Sequence, residues 1–151
     1  MQGYAAATTF GITLASLGVD AAREGLLYNN TTAKYDDYQV EIGLAVATPT
    51  TADQQGVYIY FSGDVNGTNF QSPCTGTDAA VTLGTHALPM VFMPVPVGTQ
   101  VYYHVIGSVA MMFGGVLPAR CAIVIDNQTN GALSATTTNF ITNLRGVFVT
   151  T

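Results

Sequence analysis

The chain has 151 residues, with four basic and nine acidic side chains, a net charge of −5 and 9% charged residues in all. An ordinary soluble domain carries roughly 25% charged residues, so its surface must be wetted by Thr, Asn, Ser and Gln instead. A 48% apolar share excludes disorder for want of core material. The scattered cations Arg23, Lys34, Arg120 and Arg145 exclude the clustered basic face that nucleic acid requires. The length fits a single domain.

Met1-Gln2-Gly3-Tyr4 lacks the basic region and apolar run of a secretory signal. Residues 1–30 are rich in Ala, Thr and Gly with little alternation, and read as an N-terminal arm or edge segment lying on the body or on a neighbour. Within them, Asp20 to Glu24 predicts one helical turn. Residues 31–151 read as the body. From Tyr38 to Val46 the even positions are Tyr, Val, Ile, Leu and Val, which is the period of a half-buried strand ending before Pro49. Gly56 to Phe61 is β-branched and aromatic on both faces, as a doubly covered strand is. Asn66-Gly67 predicts a tight hairpin, with Phe70 opening the returning strand.

Further short runs follow at 79–83, 88–93, 100–107, 110–113, 120–126, 131–135 and 140–149. Pro89, Pro94 and Pro96 belong at strand ends, edges or bulges. The charge-free stretch from Ala79 to Ala119 is too interrupted by proline and glycine for a membrane-spanning helix. The expected fold is all-β: a β-sandwich or jelly roll of eight to ten short strands with an N-terminal arm. Val40, Ile42, Leu44, Ile59, Val105, Ile123, Ile125 and Phe148 are the expected core.

Little in the sequence has the spacing of catalysis. His104 lies in a strand and reads as a residue satisfied by a neighbour; His86 reads as loop. Ser108 has no nucleophile-elbow surroundings. Asp36-Asp37 is the one adjacent carboxylate pair, but neighbours on a strand point to opposite faces. Asp64-Val-Asn-Gly-Thr-Asn69 begins like a calcium loop, yet its glycine is misplaced and Thr75 stands where the bidentate Glu belongs. Cys74 and Cys121 lack zinc spacing and read as two partly buried thiols, with a single disulfide between them as the alternative. Sequons at Asn29, Asn30, Asn66 and Asn127 have a role only in a eukaryotic secretory setting. Tyr58, Tyr60, Tyr102 and Tyr103 read chiefly as sheet packing, with an exposed row able to stack on sugars. No catalytic, cofactor-binding or metal-binding residue is assigned, and no enzyme activity is expected.

Three segments carry a resemblance. They are Tyr35-Asp-Asp-Tyr-Gln-Val-Glu-Ile-Gly-Leu44; Val57-Tyr-Ile-Tyr-Phe-Ser-Gly-Asp-Val-Asn-Gly-Thr-Asn-Phe70; and Phe113-Gly-Gly-Val-Leu-Pro-Ala-Arg-Cys-Ala-Ile-Val-Ile-Asp-Asn127 with the Thr-Asn-Gly-Ala-Leu133 after it. Together they resemble small virion proteins of tailed bacteriophages. The resemblance covers residues 35–149 in strand-and-turn texture. It departs from the pattern where Cys121 follows Arg120 in place of an aromatic, and in the absence of Trp. It implies a non-enzymatic head decoration or cement protein, located in the virion after synthesis in the host cytoplasm. Its expected partners are the major capsid protein or other virion proteins and copies of itself, not nucleic acid or membrane. The alternative is a carbohydrate- or receptor-binding jelly-roll module of a tail or appendage, with exposed tyrosines and calcium at Asp36, Asp37 or Asp64.

Overall fold

The computed structural model describes residues 1–47, 56–64, 66–84, 88–95 and 101–149. Pro49, His86 and Pro96 lie outside these residues. Ten strands are described: β1 (Gln2–Tyr4), β2 (Thr8–Thr9), β3 (Ala21–Asn29), β4 (Asp37–Leu44), β5 (Gly56–Asp64), β6 (Ala79–Val81), β7 (Met90–Pro94), β8 (Tyr102–Ile106), β9 (Arg120–Asn127) and β10 (Ile141–Val149). They form two antiparallel sheets. One has the order β1-β10-β4-β8 with β2 also on β10, and the other β6-β3-β9-β5-β7. The chain is thus all-β, a β-sandwich. It crosses between the sheets at β2→β3→β4→β5 and again at β7→β8→β9→β10.

The core lies between the sheets. Val40, Ile42 and Leu44 of β4 meet Val57, Ile59 and Phe61 of β5 and Ile123 and Ile125 of β9, all essentially without solvent exposure. Phe10, Leu14, Leu27, Met93, Ile106 and Leu144 close its margins. Burying each large aliphatic contributes roughly 1.5–3 kcal/mol. Six of the eight expected core residues are buried. Phe148 is half-buried over Gly3, and Val105 is 62% exposed. Val105 pairs with Glu41, which faces outward, whereas Tyr102, His104 and Ile106 take the inward side. Every residue from Val101 to Ile106 is apolar or aromatic except His104, so the sequence does not fix the phase; pairing with β4 does.

Five local expectations are corrected by the structure. Asp20–Glu24 is not helical: Ala21 onward is β3, an interior strand held between β6 and β9. Tertiary pairing overrides the helix preference of Ala, Arg and Glu there. Residues 1–30 therefore do not make one separable arm. β1 and β2 line the edge of β10, while β3 contributes Leu27 and Tyr28 to the core. The turn at Asn66-Gly67 forms, with Gly67 at φ 77°, but Phe70 opens no strand. The chain instead runs as a loop across the second sheet to β6, which pairs with β3. Residues 110–113 are a 3₁₀ turn, and 131–135 make only the bridge Val46↔Leu133.

The loop over the outer face of the second sheet is pinned by a buried carboxylate. Glu24 accepts hydrogen bonds from the Thr75 amide (2.8 Å), the Thr75 hydroxyl (2.6 Å) and the Gly76 amide (3.3 Å). Ser62 Oγ donates to the Gln71 carbonyl at 2.7 Å. Cys74, Leu88, Ala122 and Val124 form a second small core beneath.

Candidate binding surfaces

Most of the candidate side chains singled out by sequence hold the fold. Asp64 is fully buried. Its Oδ1 accepts the amides of Asn66, Gly67 and Thr68, and its Oδ2 accepts Nε and Nη2 of Arg120. Burial pushes this carboxyl up, but the guanidinium and the turn amides outweigh it and hold it below the usual carboxylate range. The turn that resembles a calcium loop is a carboxylate-centred turn whose charge is met by arginine. Asp37 Oδ1 accepts the Tyr38 amide (2.7 Å) and the Ala110 amide (2.8 Å), and Asp36 Oδ2 accepts the Val149 amide (2.8 Å). The pair thus diverges to two separate backbone anchors.

The sequons behave alike. Asn29 caps the single turn of α1 (Asn30–Ala33), and Asn30 pairs its amide with the backbone of Tyr35. Asn66 Oδ1 accepts the Thr68 amide at 2.9 Å. Asn127 is buried and donates to the carbonyls of Leu17, Gly18 and Gly131. Ser108 Oγ accepts the Met111 amide at 3.2 Å, and His104 is a half-buried residue of β8. Among the described residues no group of His, Cys, Asp and Glu is placed to hold a metal ion.

Both cysteines are free and buried. Cys121 faces the core beside Ile123 and Ile125, whereas Cys74 packs on the opposite side of the same sheet with Ala122 and Val124. Burial pushes the Cys74 thiol up to about 11 and raises that of Cys121 as well, so neither is a thiolate near neutral pH. The Tyr28 hydroxyl is buried without a hydrogen-bond partner among the described atoms, its ring stacked 4.2 Å from Tyr38; burial raises its pKa, and Cys121 adds to the shift.

The surface features that remain are apolar. The β8–β9 connection, residues 107–119, contains no charged side chain. It is a shaped projection. The 3₁₀ turn Ala110–Phe113 is anchored by Asp37 and ends at Gly114 (φ 72°) and Gly115 (φ 92°), a left-handed pair that only glycine adopts without strain. Phe113 and Leu117 turn back onto the core, and Phe113 and Pro118 close tightly over Gly63. Met111 and Val116 point away, 71% and 74% exposed, more than any other described large apolar side chain except Met1. Beside them a groove of about 340 Å³ is lined by Gly63, Gln71, Phe113, Val116, Leu117, Pro118 and Ala119. The Arg120–Asp64 pair directly follows the lining residues Ala119 and Gly63 in the chain, with the guanidinium carbon 4.7 Å from the Phe70 ring centre. The sequence signal for this site was its lack of charge together with Gly114-Gly115; its exposure was not readable.

The four tyrosines do not form one row. Tyr58 and Tyr60 lie on the outer face of the second sheet, with Tyr58 5.1 Å from Phe92 and 6.2 Å from Tyr60. Tyr103 is exposed on the outer face of the first sheet, and Tyr102 turns inward. No family model, curated protein or solved structure matches the chain.

Proposed function

We propose that this chain is a non-enzymatic structural protein of a tailed-phage virion, a head decoration or cement protein with a jelly-roll winding. It docks on the shell through the apolar projection at 107–119. The observation that carries this reading is the pair Met111 and Val116, held out on a backbone fixed by Asp37, Gly114, Gly115 and the Arg120–Asp64 pair. A preorganised apolar knob loses little conformational freedom on contact, and residues 107–119 carry no charged side chain of their own whose desolvation would oppose burial. Each such contact is modest, but repetition over a lattice of identical sites multiplies it. The spatial order β3-β9-β5-β7 in one sheet, with β4 beside β8 in the other and the chain crossing at β3→β4→β5 and at β7→β8→β9, supports the winding. The textural resemblance supports the phage setting.

The test is co-sedimentation of the purified protein with heads that lack it. The expected result is saturation at a fixed ratio to the major shell protein. Absence of binding to heads overturns the reading.

A second reading, recognition of a sugar or receptor by an appendage module, draws on the rings of Tyr58, Tyr60 and Phe92. They lie near Asp126, whose carboxylate accepts from Gln128 Nε2 at 3.0 Å. A glycan array probed with the wild type and Tyr58→Ala distinguishes the two: a hit abolished by the substitution favours recognition.

A further inference from the structure

The outer face of the first sheet carries an arrangement that the shell-docking projection does not use. Across β8, β4 and β10, the register sets Tyr103 beside Gly43 and Ile141, Val105 beside Glu41 and Asn143, and Gln39 beside Arg145. Ile141 and Tyr103 close over Gly43, where a Cβ would sit 2.8 Å and 3.2 Å from them. Tyr103 and Val105 are 61% and 62% exposed. Between this apolar border and β10 runs a groove of about 240 Å³ lined by Gln39, Val40, Glu41, Val105, Asn143 and Arg145.

The charges on this face are few and unmatched. Glu41 accepts a hydrogen bond from Asn143 Nδ2 (2.9 Å) and has no cationic partner among the described residues. Arg145 is exposed, one of only four Lys and Arg residues in the chain, and forms no ion pair among the described residues. Asp37 shares the outward parity of β4 but is held by the Tyr38 and Ala110 amides, which leaves Arg145 and Glu41 as one cation and one anion on neighbouring strands, bordered by exposed Tyr and Val. A surface of that kind is complementary to itself: under a symmetry axis, residue i of one copy meets residue j of the next and the reverse.

We propose that a second copy of this chain covers the outer face of the first sheet, with Arg145 of each protomer meeting Glu41 of its neighbour in a closed symmetric oligomer. Tyr103, Val105 and Ile141 supply the apolar area, and the two charges set the register and reject misaligned copies. The inference deepens the assembly role proposed above, since an oligomer offers several projections to the shell at once.

Light scattering after size exclusion of the full chain reads the state directly. The wild type is expected as a dimer or other closed oligomer. Arg145→Glu alone and Glu41→Arg alone each place like charges in contact and weaken association on the order of 100-fold or more. The double variant restores the wild-type state, and mixing the two single variants yields a mixed oligomer. A monomeric wild type overturns the proposal, as does an oligomer indifferent to both single reversals. Neither result bears on whether the projection at 107–119 binds heads, so the two readings fail separately.

Discussion

Arg120 and Asp64 are directly opposite one another on β9 and β5, and the arginine closes on the carboxylate while its guanidinium carbon sits 4.7 Å from the Phe70 ring centre. The pair secures the root of the apolar projection, because Pro118 and Ala119 immediately precede Arg120 and Pro118 packs against Gly63 beside Asp64. Removing one partner leaves a buried charge unmatched, which costs far more than removing both. Arg120→Met is therefore expected to lower the melting temperature by several degrees, at roughly 2–4 °C per kcal/mol for a chain of this size. Arg120→Met with Asp64→Asn is expected to recover most of that loss. Differential scanning calorimetry of the two variants checks it.

Acid should act on the same class of contacts. Asp78 accepts from Arg23 and Thr13; burial pushes its carboxyl up, but these partners prevail and bring it from 3.8 to about 2. Asp64 is lowered for a similar reason. A carboxylate with a depressed folded-state pKa binds protons more readily when unfolded, so its stabilisation is present above the unfolded value and lost as pH falls through the folded one. Thermal stability is expected to hold down to about pH 4 and to decline between there and about pH 2, in the window set by the Asp78 shift. Arg23→Gln should flatten that decline, which melting curves across the range will read.

The N-terminal region divides at a definite point. Deleting residues 2–9 removes β1 and β2, which add only to the β10 edge, and the remainder is expected to fold. Deleting residues 1–30 also removes β3, with Leu27 and Tyr28 from the core and Glu24 from under the Thr75 loop. That chain is expected to lose its cooperative transition. Far-ultraviolet circular dichroism and limited proteolysis of the two truncations separate these outcomes.

Cys74 and Cys121 lie on opposite sides of the second sheet and are expected to stay reduced. Thiol titration without reductant should find both groups after denaturation and little reaction before it, since burial keeps each thiol protonated and shielded. Recovery of no titratable thiol from the unfolded, unreduced chain contradicts this.

The fold was legible where a strand alternates. Val40, Ile42 and Leu44 declare an inward face against Gln39 and Glu41, and all three are buried. Legibility failed where the run is uniformly apolar. Residues 101–106 give no phase, so the sequence alone puts Val105 inside, and Ala110–Phe113 reads as a short strand where the left-handed Gly114 and Gly115 close it as a 3₁₀ turn. Ala21–Glu24 misled for another reason: their local preference is helical, and only pairing with Ile125, Asp126 and Asn127 of β9 and with β6 draws them into a sheet. The surfaces were hardest to read. Sequence shows that 79–119 lacks charge, but only the folded chain shows that Met111 and Val116 project from it while Phe113 and Leu117 turn back.

The most direct measurement compares saturation binding to heads lacking the protein for the wild type and for Met111→Asn with Val116→Asn. Both side chains are exposed, so the variant is expected to melt within a few degrees of the wild type. The account predicts saturation at a fixed ratio to the shell protein for the wild type, and affinity at least about 10-fold weaker for the variant, given the apolar area removed. Equal binding by the two chains contradicts the role given to residues 107–119, and failure of both to bind contradicts the decoration role itself.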